Sequence, residues 1–181
     1  KKEYFLQIVL SQSPRTALKV VLGILTSYIL HFIMEFNFND GGRADAGYKG
    51  RTGDCVTRAV AIAAELPYQE VYNRLAEGNA NQRVTKRSRK TTARQKTASH
   101  GISTTRKWFK DYMKSLGFKW VSTMGIGTGC KVHLKSDELP SGRVIARVTR
   151  HYCAVIDGVI NDTYNPSRDE TRCVYGYWIK Q

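Results

Sequence analysis

The chain has 181 residues, enough for one domain with a real core and some additional segments. With 41% apolar and 24% charged residues, it is neither a disordered nor a fibrous protein. A net charge of +14 favours anionic partners, such as nucleic acid, lipid headgroups or an acidic protein surface, in so far as it is not spent on one solvated loop.

Residues 1–33 do not resemble the remainder. From Val20 to Met34 no residue is charged, with Lys19 before the run and Glu35 after it. The run falls short of the roughly 20 residues of a membrane span. Its length suits a signal-peptide apolar region with basic residues upstream, but no small-x-small cleavage site follows. Three readings stand: a membrane anchor over 18–34, a packed helix, or an extension outside a functional domain that begins at Met34. Extension or packed helix ranks ahead of membrane attachment.

Asn37 to Gly53 is rich in Gly, Asn and Asp and reads as a loop. It leads into Arg51-Thr-Gly-Asp-Cys-Val-Thr-Arg-Ala-Val-Ala-Ile-Ala-Ala64, where Gly53 and Asp54 read as turn and N-cap and Cys55 as the first helical residue. Val56, Ala59, Val60 and Ala63 recur at the spacing of one buried helix face. A thiol at that helix head meets unpaired backbone N–H groups and the positive end of the dipole, both of which favour a nucleophilic thiolate. Core packing is the competing role for such a cysteine. A second helix follows from Pro67, with Tyr68, Val71, Tyr72 and Leu75 as its apolar stripe and Gly78 as its stop.

Residues 82–107 form a basic tract. Nine lysines and arginines occur there, and no acidic residue lies anywhere from Gly78 to Lys110. Without a hydrophobic period the tract reads as a long loop or disordered insert. It is suited to phosphates electrostatically, but its lack of aromatic side chains up to Trp108 argues against stacking on bases. His100 reads as a loop histidine. Ser103 then caps a third helix carrying Trp108, Phe109, Tyr112, Met113 and Leu116, which Gly117 ends. Phe118 to Met124 reads as a strand, and Gly125 to Gly129 as a turn that is not a phosphate cradle.

From Arg143 the pattern becomes β: RVIARVT, HYCAVI, the Asp157-Gly158 turn, VINDTYNP and CVYGYWI. Helices followed by an antiparallel sheet make an α+β domain. With a two-residue turn, Ile156 faces Val159 and His151 faces Tyr164. His151, Cys153 and Val155 then share a face with Ile160, Asp162 and Tyr164, and Asp162 is a diagonal neighbour of His151. Cys55, His151 and Asp162 thus make a candidate Cys–His–Asp triad, in which Asp162 orients the imidazole. Asn161 points to the opposite face, and Asn165 is the alternative third member if a bulge shifts the register. Cys153 reads as packing.

Cys55, Cys130, Cys153 and Cys173 include no CxxC pair, and reduced, mostly buried thiols are the simplest reading. Cys130 lies near His133, and His151 near Cys153, but neither pair belongs to a finger or ribbon pattern. No metal or cofactor is expected.

A thiol heading the first helix, followed by His and Asp or Asn on a sheet, resembles the papain-like cysteine peptidase fold. "GDCVTRAVAIA…LPYQEVYNRL" with "HYCAVIDGVINDTYNPSR" is similar to small papain-like proteins of bacteriophages and prophages, over roughly Phe36 to Ile179. The Asp-Cys dipeptide also resembles that of bacteriocin-processing peptidases. Papain-like enzymes place an oxyanion-binding Gln six residues before the nucleophile; Lys49 stands there instead, with Thr52 or Lys49 itself as candidate substitutes. The resemblance implies a cysteine hydrolase acting on a peptide, isopeptide or amide bond of a peptide or protein substrate. It also implies a location in the host cytoplasm for a phage-encoded protein. The alternative is a basic nucleic-acid or polyanion-binding protein that uses 82–107 and keeps an inactive peptidase-like scaffold.

Overall fold

The structure, a computed structural model, describes residues 34–82 and 97–181, together with Lys19. The chain divides into two units, Lys1–Ile33 and Met34–Gln181, and all described residues except Lys19 belong to the second. The apolar run up to Ile33, read as anchor, packed helix or extension, lies outside the described residues, as does the centre of the basic tract, 83–96.

Among the described residues, three helices and a six-stranded sheet make a mixed α+β fold. Strand β1 (Phe36–Phe38) precedes helices α1 (Cys55–Ala64), α2 (Tyr68–Asn81) and α3 (Lys107–Ser115). Strands β2 (Phe118–Ser122), β3 (Arg143–Val148), β4 (His151–Ile156), β5 (Val159–Asp162) and β6 (Gly176–Lys180) follow. Their spatial order is β1-β5-β4-β3-β6-β2.

The sheet is not wholly antiparallel, as the sequence suggested. β1 pairs in parallel with β5, opposing Phe36 to Ile160. The segment read as the entry to a loop therefore forms an edge strand. All three of its residues are exposed, so backbone bonds hold it and no alternating pattern marks it. Ile160 N–H donates to the Glu35 carbonyl at 2.8 Å, and Asn39 N–H to that of Asp162 at 2.9 Å.

Both faces of the sheet centre are buried, which is why β3 and β4 read as nearly continuous apolar runs. Ile145, Ala154 and Trp178 meet Val60, Leu75, Phe109 and Met113 of the helices. Val144, Ala146, Val148, Cys153, Val155 and Ile160 point the other way, under Leu134 and Val174. Each such aliphatic side chain stabilises the fold by roughly 1.5–3 kcal/mol when fully buried. The covering segments contain little regular structure and are held by backbone bonds, Leu134 N–H to Arg172 carbonyl at 2.7 Å and Val174 N–H to Val132 carbonyl at 2.8 Å.

A disulfide joins the same segments. Cys130 and Cys173 are bonded, with Cα atoms 5.8 Å apart, which corrects the expectation of reduced, mostly buried thiols. The pair is 43 residues apart in sequence and meets only because the His133–Cys173 bridge aligns the two segments. Replacing both cysteines by serine is expected to lower stability by about 2–4 kcal/mol, from the entropy of opening so long a loop. Thermal unfolding with and without reductant measures it, and equal melting would show that the backbone pairing alone holds the segments.

Two helix boundaries differ from the sequence reading. α2 continues through Gly78, because the ring of Trp108 packs where a side chain at Gly78 would stand. A methyl group there would lie 2.3 Å from Cε3 of Trp108. That ring is itself fixed edge-on to Phe109 at 6.0 Å. Gly78→Ala gains about 1 kcal/mol of helix propensity but is expected to lose more to overpacking, typically about 1–3 kcal/mol. Urea denaturation checks the sign; net stabilisation would mean the indole yields freely. α3 starts at Lys107 instead of Ser103, since 103–106 form a turn in which Arg106 N–H donates to the Ser103 carbonyl at 3.1 Å.

Candidate active site

Helix α1 sets Cys55 at its first position, half-buried, with Val56, Ala59, Val60 and Ala63 packed behind it. The Asp157-Gly158 hairpin has positive φ at both residues, 47° and 83°, as a tight turn of this type requires. It opposes Ile156 to Val159 and Val155 to Ile160, the register expected from the sequence. His151 at the start of β4 and Asp162 at the end of β5 then share a face. Nε2 of His151 and Oδ2 of Asp162 are 2.5 Å apart, both residues being buried.

With Nε2 engaged, Nδ1 is the nitrogen left for Cys55, and the two residues line one cavity. Burial is the largest influence on His151 and works to lower its pKa. The hydrogen bond to Asp162 and the charge of that carboxylate, together with the influence of nearby Cys55, outweigh burial and push it up to about 9. The imidazole is therefore cationic at neutral pH. Tyr164 stacks on it with ring centroids 5.0 Å apart, on the side toward solvent.

The N-cap position of α1 holds a surprise for sequence reasoning. Asp54 occupies it, but its carboxylate makes no cap bond. Instead its Oδ2 accepts from Arg43 Nε and from the Tyr68 hydroxyl, each at 2.7 Å, and its Oδ1 from Arg58. Arg58 also reaches Oδ1 of Asp162 at 3.3 Å, and the Thr163 N–H donates to that same oxygen at 2.7 Å. One buried guanidinium thus ties Asp54, the residue before Cys55, to the carboxylate behind the imidazole. Two carboxylates, Asp54 and Asp162, face two guanidiniums, Arg43 and Arg58. The two pairs balance in charge within this network. Burial and the bond to Asp54 both push the Tyr68 hydroxyl pKa up, which keeps it a donor.

The remaining candidates fall elsewhere. Asn165 uses its Oδ1 to accept the Ser167 N–H at 2.9 Å, a local turn bond away from His151. Asn161 faces β1, accepting from Asn37 and Asn39 at 3.1 and 3.3 Å. Cys153 is buried in the core, and burial pushes its thiol pKa well up. Lys49 and Thr52 are exposed, and the Lys49 carbonyl accepts from Arg43 at 3.0 Å. The Cys–His pairs do not assemble, because Cys130 is disulfide-bonded, His133 faces Glu138 at 3.2 Å and His151 is held by Asp162.

The described end of the basic tract is packed, contrary to its reading as a solvated insert. Ala98 is fully buried, Gly53 N–H donates to the Ser99 carbonyl at 2.7 Å, and His100 pairs with Gly53. His100 thereby joins Cys55, His151, Arg147, Arg150 and Tyr175 around a cavity of about 560 Å³. Arg58 and Arg43 were not singled out from sequence, and His100 was read as a loop histidine with no part in the site. Arg58 had a signal, being the only charged residue in α1 and four positions after Asp54.

Compared with protein-family models, curated proteins and solved structures, the chain matches none. No helix among the described residues is long and apolar enough to cross a membrane.

Proposed function

We propose that the protein is a thiol hydrolase with a papain-like arrangement of helix head and sheet. In this reading it is a peptidase, isopeptidase or amidase whose nucleophile is Cys55. The observation that supports it is an imidazole, 2.5 Å from a buried carboxylate, that lines one cavity with a thiol at a helix head.

Cys55 Sγ attacks the substrate carbonyl carbon; the S–C bond forms and the carbonyl π pair moves to oxygen. The backbone N–H of Cys55, at the unpaired head of α1, is an available donor for that oxyanion. As the C–N bond breaks, the His151 imidazolium gives its proton to the departing amine. Water then enters, His151 takes its proton, and hydroxide displaces the thiolate to release the acid. Asp162 holds the ring by Nε2 and stabilises its charged form.

The test is cleavage of a proteome-derived peptide library, with new termini read by mass spectrometry. Cleavage by the parent and none above background by Cys55→Ala or His151→Ala is expected. Equal cleavage by Cys55→Ala would overturn the assignment. The excess of positive charge favours a second reading, a polyanion-binding protein on a peptidase-like scaffold. It requires affinity that falls steeply with salt and is unchanged in Cys55→Ala.

A further inference from the structure

Two arginines, Arg147 and Arg150, line the cavity of the candidate nucleophile, and neither has an ion pair among the described residues. Arg147 is half-buried on β3, opposite Tyr152 and Gly176, yet its side chain has no ion pair or hydrogen bond among the described residues. A half-buried guanidinium left without a counter-charge is costly, and Arg58 and Arg43 next door each have one. Arg150, immediately before His151, adds a second positive charge at the same cavity. Its φ is 55°, a left-handed conformation that glycine or asparagine adopts at less cost. Among the described residues no Asp or Glu lines this cavity.

Arg147 also lines a neighbouring cavity with Thr104, Tyr152, Lys110, Trp120 and Trp178, again without an acidic residue. Trp178 is buried, and its indole N–H has no hydrogen-bond partner among the described residues. Trp120 places its ring where a side chain at Gly176 would stand, beside Arg147. The two cavities therefore offer cations and an aromatic wall next to Cys55 and His151.

We infer that Arg147 is a specificity-determining residue that selects peptide substrates with an acidic side chain adjacent to the bond under attack. This rests on Cys55 being the nucleophile. A Glu or Asp carboxylate accepts from the guanidinium. The interaction is charge-assisted and partly shielded from water, the setting in which it discriminates most strongly between an acid and its amide.

The experiment is protection of Cys55 from iodoacetamide, read by peptide mass mapping. The reagent labels any accessible thiol, so the assay works whether or not the site hydrolyses anything. Hexaglutamate, hexaglutamine and a hexauridine oligonucleotide are the competing probes. Hexaglutamate is expected to protect at a concentration about tenfold or more below that of hexaglutamine. That preference should vanish in Arg147→Gln and largely survive in Arg147→Lys, which keeps the charge and controls for folding. Equal protection by the two peptides, or a preference unchanged in Arg147→Gln, overturns the inference. Protection by hexauridine as strong as by hexaglutamate also overturns it, in favour of a nucleic-acid groove. If labelling of Cys55 is the same in His151→Ala as in the parent, the hydrolase reading fails while the acid-over-amide comparison still stands.

Discussion

Replacing His151 with alanine is expected to slow alkylation of Cys55 at about pH 6 by about 10- to 100-fold. An ordinary cysteine titrates near 8.5, so at that pH only about one molecule in three hundred is the reactive thiolate. In the parent, the His151 imidazolium stands beside the sulfur and stays protonated up to about pH 9, since Asp162 and Cys55 together outweigh its burial. In the proposed pair a cationic ring beside the sulfur favours the thiolate over the thiol. The intrinsic reactivity of such a thiolate is lower, which offsets part of the gain and sets the upper bound.

The pH profile carries more information than any single rate. The parent profile should be the shallower of the two below about pH 8, where that of His151→Ala should climb about tenfold per unit as a free thiol does. Above about pH 9 the imidazolium loses its proton and the two profiles should converge. Cys153 does not interfere, being buried with its thiol held protonated by that burial, and the other two cysteines form the disulfide. Superimposed profiles would mean that the imidazole does nothing for the sulfur, and the fold would then be a scaffold.

The parts of this site that were legible in the sequence are those set by local periodicity. Helical spacing behind Cys55 placed the thiol at a helix head, and the Asp157-Gly158 turn fixed a register that puts His151 and Asp162 on one face. Each needs only a dozen or so neighbouring residues. What stayed hidden depends on contacts between distant segments. Arg58 bonds to Asp162 across 104 positions, so its i,i+4 relation to Asp54 was visible but its reach to the triad was not. β1 is held by backbone groups of β5, which no side-chain pattern records. Cys130 and Cys173 come together through a bridge between two irregular segments. Ala98 is buried as a single small residue inside a polar tract, and a period-based reading has nothing to detect there.

Arg58→Met is expected to destabilise the protein by about 3–5 kcal/mol, the usual cost of removing one partner from a buried ion pair. The side chain is only 9% exposed and is bonded to Asp54 and Asp162, themselves nearly inaccessible. Methionine has a similar length and fills the apolar stem's place, so the loss reports charge more than packing. Asp54 keeps Arg43 and Tyr68, and Asp162 keeps His151 and the Thr163 N–H, so neither carboxylate is wholly stranded. That compensation favours the lower half of the range. Urea denaturation gives the magnitude, and a cycle with Asp54→Asn separates the two arms. If the Arg58–Asp54 bond carries most of the effect, the double variant should be more stable than the sum of the single losses implies. Additive losses would locate the effect in the contact with Asp162. Arg58 would then act chiefly as a positioning residue for the imidazole, and alkylation of Cys55 in Arg58→Met should approach that of His151→Ala.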